Sequence, residues 1–91
     1  MPLAKLVGPD VAEQTKQALL NLGAVLKSAG VSYVNIIKTT VFLTDLSRFA
    51  DMNAVYATFF PEAPPARSAI EVSGLPRAAK VEIEAIAIKP S

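Results

Sequence analysis

Val11, Thr15, Ala18, Leu22, Val25, Leu26 and Ala29 recur three and four residues apart, the period of an amphipathic helix. Asp10 supplies an N-cap oxygen, Glu13 completes a box-like Asp-x-x-Glu signature, and Gly30 suits a left-handed stop, so the spacing predicts a helix over about residues 11 to 29. The period then changes. In NIIKTTVFL (35–43), alternation puts Ile37, Thr39, Val41 and Leu43 on one face and Ile36, Lys38, Thr40 and Phe42 on the other. Both sets are largely apolar, which predicts a central strand covered on both sides. TDLS (44–47) is turn and cap chemistry, and Phe49, Met52, Tyr56, Phe59 and Phe60 mark the buried stripe of a second helix, closed by Pro61, Pro64 and Pro65. The stretch PPARSAIEVSGLPRAAKVEIEAIAI (64–88) reads as two strands joined at SGLP, a closing hairpin.

The order helix, strand, helix, strand, strand predicts an α+β layer, a mixed sheet carrying two helices on one face. Residues 1–91 form one expected domain, with residues 1–9 as a lead-in segment. A chain of 91 residues buries only a modest core, yet this one is 52% hydrophobic. The surplus apolar surface, and a sheet face with no partner in the chain, predict a homo-oligomer.

Composition narrows the chemistry. With no Cys and no His, the chain lacks thiolate and imidazole ligands and nucleophiles, so no metal site is expected. The nine basic residues are scattered and net charge is +1, so no stripe points to nucleic acid. No apolar run reaches membrane-spanning length and no signal-like segment opens the chain, which therefore reads as cytoplasmic unless a targeting segment is lost from its front. Nucleotide-binding and serine-hydrolase motifs are absent.

The remaining candidates are few. Arg67 follows a Pro-Pro-Ala segment and could grip a carboxylate with its planar fork. Residue type alone favours an exposed strand arginine paired with Glu71 or Glu82. Glu82 and Glu84 share a strand face with Ile86 and Ile88, where apolar neighbours would desolvate a carboxylate toward the acid/base range. One of the two is read as an ordinary surface charge, and alternation does not say which. Asn53 interrupts the apolar stripe of the second helix with an amide, a tie to a loop or to a ligand. Tyr33 and Tyr56 are read as packing residues.

QTKQALLNLGAVLKSAG (14–30), IIKTTVFLTDLSRFADMNAVYATFF (36–60), PARSAIEVSGLP (65–76) and KVEIEAIAI (80–88) together resemble the RidA/YjgF family, also known as endoribonuclease L-PSP or translation-inhibitor-like proteins. The resemblance implies a chorismate-mutase-like fold, a homotrimer with ligand clefts between subunits, and cofactor-free hydrolysis of reactive 2-imino acids to 2-oxo acids and ammonia. It implies that Arg67 binds the substrate carboxylate, that Glu82 orients or activates water, and that Asn53 lies near the cleft. Ala69 stands where a cysteine is common, in a role carried largely by the backbone carbonyl. The family's front segments, GPYSQ-like and SGQ-like, are not in this sequence, so the chain resembles an N-terminally truncated member. Two other functions stay open: a non-catalytic carboxylate-binding or interaction module and, ranked last without His or a basic stripe, a ribonuclease or translation inhibitor.

Overall fold

The computed structural model describes residues 10–90, and the expected lead-in segment lies outside them. Five main elements follow in order: α1 (Val11–Ser28), β1 (Ile36–Leu43), α2 (Phe49–Phe59), β2 (Ala66–Glu71) and β3 (Val81–Ala87). Short 3-10 turns at Tyr33–Asn35, Leu46–Arg48 and Pro76–Ala78 link them.

The start and stop of α1 follow the chain's own signals. An Asp10 carboxylate oxygen accepts from the Ala12 N–H at 3.0 Å and so caps the helix. At the far end Gly30 takes a φ of +81°, its N–H bonds the Lys27 carbonyl at 3.0 Å, and the Val31 N–H bonds the Leu26 carbonyl at 2.9 Å. This paired closure needs a left-handed residue at that point, which glycine supplies without steric cost.

The buried stripe of α1 differs from the expected one. It runs through Val11, Thr15, Leu19 and Leu26, with Leu19 at 0% exposure, while Val25 is 59% exposed. Leu22 belongs to both possible stripes, so a period near 3.6 left two helix faces open, and contact with Tyr33 selects the Leu19 side. The Tyr33 hydroxyl donates to the Leu19 carbonyl at 2.6 Å, and its ring meets Phe59 and Phe60 edge-on with centroids 5.5 and 6.1 Å away. Gly23 makes room for this approach, since a Cβ there would collide with the Tyr33 hydroxyl.

The expected hairpin does not form. The sheet order is β2-β1-β3, with β1 parallel to β2 and antiparallel to β3. β1 is the richest of the three in β-branched residues and takes the centre, while α2 serves as the crossover that a parallel β1/β2 pair requires. Residues 72–80, SGLP among them, cross the end of β1 rather than reversing tightly. The Val72 N–H bonds the Leu43 carbonyl at 2.8 Å, and the Thr44 N–H bonds the Lys80 carbonyl at 3.1 Å. Arg77 and Ala78 bend this crossing with φ values of 60° and 54°. Gln14 on α1 anchors its end by accepting the Lys80 N–H at 2.8 Å.

Both helices pack on one sheet face, against Thr39, Val41 and Leu43 of β1 and Val81, Ile83, Ala85 and Ala87 of β3. A register shift between Ile36 and Lys38 corrects the expected alternation. Ile36 joins the core at 6% exposure and Ile37 turns outward at 50%. The opposite face bears Ile70, Ile86 and Ile88, all exposed. No helix among the described residues is long and apolar enough to cross a membrane.

Candidate functional site

Strand register decides where the candidate charges stand. Arg67 pairs with Thr39, Ala69 with Val41 and Glu71 with Leu43, which places Arg67, Ala69 and Glu71 on the helix-covered side of β2. Glu82 pairs with Phe42 and Glu84 with Thr40, which places both carboxylates on the open face of β3. β2 and β3 flank β1 from opposite sides. Within one chain, Arg67 and Glu82 therefore lie on opposite faces and opposite edge strands, and the fold does not bring them together.

The surroundings of Arg67 come from α2. Phe49, Asn53 and Tyr56 fall four and three residues apart and so share one helix face, turned toward the start of β2. The guanidinium carbon lies 4.9 Å from the Phe49 ring centroid and 4.7 Å from that of Tyr56, within cation–π range of both. One guanidinium nitrogen donates to the Asn53 side-chain oxygen at 2.6 Å. Behind this cradle, the Tyr56 and Thr39 hydroxyls share a buried 2.7 Å hydrogen bond. The rings fix the plane of the guanidinium and the amide fixes its rotation, while most of its five N–H donors stay open.

The expected partners of Arg67 are engaged elsewhere or out of reach. The Glu71 carboxylate accepts the Leu46 N–H at 2.7 Å, and Glu82 is on the other face. Among the described residues the one ion pair is Arg48 with Asp51, at 3.2 Å. No carboxylate neutralises Arg67 there, so the cradle is an uncompensated positive site built from uncharged walls. The expected desolvation of Glu82 and Glu84 is not supplied within the chain either, because both are exposed. No group of three or more carboxylates able to hold a metal ion occurs among the described residues.

At Ala69 the backbone faces outward. The Val72 N–H points at β1, so alternation turns the N–H and C=O of Arg67, Ala69 and Glu71 toward the outer edge of β2, which has no strand beside it among the described residues. The Arg67 guanidinium and the outward N–H and C=O groups of three residues thus belong to one edge strand.

Asn53 was legible as an amide interrupting an apolar stripe. Phe49 and Tyr56 read from sequence only as packing residues, although their spacing around Asn53 carries the signal. Tyr33 and Tyr56 both spend their hydroxyls inside the fold, on the Leu19 carbonyl and on Thr39.

Comparison with known proteins meets this geometry. The endoribonuclease L-PSP family model matches residues 1–89. The mouse 2-iminobutanoate/2-iminopropanoate deaminase is 49% identical over 85 residues, 93% of this chain and 63% of that protein. The human deaminase is 46% identical and is covered over 62% of its length, so the chain spans less than two thirds of these relatives. The YjgF gene product of E. coli matches with a TM-score of 0.90 at 46% identity, over 98% of this chain and 72% of that one. E. coli TdcF with bound serine matches with a TM-score of 0.90 at 42% identity, again over 98% and 72%. With two helices on one face of a mixed three-stranded sheet and a family match along nearly its whole length, the chain belongs to the endoribonuclease L-PSP, or RidA/YjgF, family.

Proposed function

We propose that the protein hydrolyses reactive 2-imino acids to 2-oxo acids and ammonia, in a cleft where Arg67 of one copy faces Glu82 of another. The observation that carries this reading is the Arg67 cradle. A guanidinium held by two rings and a neutral amide, with no carboxylate partner among the described residues, is arranged to receive a small carboxylate. The deaminase names of the mouse and human relatives support the reaction class, and serine bound to TdcF supports a ligand with an α-carboxylate.

An imine carbon is already electrophilic, so positioning supplies much of the catalysis. Arg67 binds the carboxylate next to the C=N carbon, and the outward carbonyl of Ala69 lies along the same edge for a polar hydrogen of the substrate. Glu82 takes a proton from water as the oxygen bonds to the imine carbon and delivers that proton to the nitrogen, giving a carbinolamine. Collapse forms the C=O bond, breaks the C–N bond and releases ammonia. No oxidant, reductant or cofactor enters the balance. Since Arg67 and Glu82 stand on opposite faces of one sheet, their cooperation needs an oligomer, and a trimer with clefts between subunits meets that need.

The test couples an amino-acid dehydratase acting on threonine to this protein and follows 2-oxobutanoate. Acceleration over buffer that is lost in Arg67→Ala is expected; an unchanged rate in that variant would falsify the assignment. The opposed faces also favour a second reading, a carboxylate-binding module without hydrolysis. Binding of 2-oxobutanoate without acceleration would select it. RNA cleavage ranks last, because the chain has no His and no basic stripe.

A further inference from the structure

From the cradle we infer that Asn53 is a positioning residue for Arg67, and that its neutrality is what the site requires. The inference rests on the reading of Arg67 as the carboxylate-binding group, and it gives Asn53 a role other than direct contact with substrate.

The guanidinium is a donor only, so the side-chain oxygen of Asn53 must be the atom facing it. At 2.6 Å this bond fixes rotation about the long arginine side chain, while Phe49 and Tyr56 fix the plane. Tyr56 is itself immobilised by Thr39, and its ring lies 4.9 Å from that of Phe60. The guanidinium is therefore pre-aligned for two-point contact with a planar carboxylate, which lowers the ordering cost of binding.

An aspartate would fit the same space at position 53 and hold Arg67 more strongly. It would also cancel the charge that an incoming anion needs. Of the other acidic residues, Glu71 accepts from Leu46, and Asp51, two residues before Asn53 and so turned to another side of the helix, pairs with Arg48. The arrangement orients the guanidinium and leaves its charge unspent.

Calorimetric titration with 2-oxobutanoate, with thermal melts alongside, tests this on the wild type, Asn53→Asp, Asn53→Ala, Arg67→Lys, and Asn53→Ala combined with Arg67→Lys. Asn53→Asp is expected to melt at or above the wild type yet bind about 30-fold more weakly. Asn53→Ala is expected to bind about fivefold more weakly, a smaller loss from a more drastic truncation. In the Arg67→Lys background, which has no planar fork to orient, Asn53→Ala should cost less than about twofold. Binding by Asn53→Asp within about threefold of the wild type overturns the inference. An equal cost of Asn53→Ala in both backgrounds also overturns it, by assigning Asn53 a direct ligand contact. Failure of the wild type to bind removes the carboxylate site itself, and the inference with it.

Discussion

The two faces of the sheet are finished to different degrees. On the helix-covered side the buried hydroxyls among the described residues find partners, and a half-buried one does too: Thr15 donates to the Val11 carbonyl at 2.7 Å, Thr39 bonds Tyr56, and half-buried Tyr33 reaches the Leu19 carbonyl. Polar groups cost little when buried and satisfied, so this face closes on itself. On the open face Ile37, Ile70, Ile86 and Ile88 stand exposed beside Glu82 and Glu84, and neither glutamate forms an ion pair among the described residues. The covered face holds the fold together. The open face presents apolar surface and carboxylates without ion pairs among the described residues. Arg67 belongs to the first and Glu82 to the second, so the proposed chemistry joins the two.

The largest test of that contrast pairs Leu43→Ala on the covered face with Ile86→Ala on the open one. Leu43 has 0% exposure, and its truncation should cost about 3–5 kcal/mol at any protein concentration in chemical denaturation. Ile86 is 60% exposed, and its truncation should cost under about 0.5 kcal/mol in dilute protein and more as concentration rises. An equal, concentration-independent cost at both sites would break the comparison.

Next in size is Glu82→Gln. Because the residue is exposed in the single chain, melting should be unchanged, while turnover in the dehydratase-coupled assay should fall by about 100-fold, equivalent to about 2.7 kcal/mol. Wild-type turnover in this variant would confine the chemistry to the covered side. Glu84→Gln should leave turnover near the wild-type rate.

Gly23→Ala comes third. Alanine for glycine in a helix ordinarily stabilises by about 0.5–1 kcal/mol, but here the added methyl meets Tyr33. The sign should reverse to a loss of about 1–2 kcal/mol in chemical denaturation. A stabilised variant would show that the covered face has slack at this point.

The smallest effects are those of pH. Burial pushes the Tyr33 hydroxyl above the ordinary tyrosine value of 10.0. Its contribution is complete below that value and is lost as pH rises through the higher folded value, so Tyr33→Phe should flatten the alkaline limb of a melting curve. Asp45 runs the other way: the Ser47 hydroxyl and then the Ser47 amide hold its carboxyl below the ordinary 3.8. The advantage over Asp45→Asn should be present above that value and shrink as pH falls through the lower folded one.

Element identity was readable because each element carries local signals. Asp10 and Gly30 mark the ends of α1, Asp45 caps the turn into α2 through the Ser47 N–H at 3.0 Å, β-branched residues mark β1, and alternation marks β3. Pairing was not readable, since alternation assigns side chains to faces and says nothing about which strand lies beside which. The same limit hid the site. Asn53 could be found from its helix face, but its bond to Arg67 depends on the parallel register that sets Arg67 opposite Thr39. The outward turn of Ile37 escaped because a one-residue shift leaves no mark in a run of β-branched residues.

The sheet order also sets the sequence in which the molecule can be assembled. β1 leaves the ribosome before either of its neighbours, β2 can join it once α2 has folded back, and β3 must wait until the chain has crossed the end of the centre strand. Until Val81–Ala87 arrives, the most β-branched strand keeps one long edge unpaired beside apolar side chains. That interval is when a nascent chain is most open to pairing with the wrong partner. Slowing synthesis between Glu71 and Val81 would lengthen it, and a chaperone that shields strand edges would matter most there.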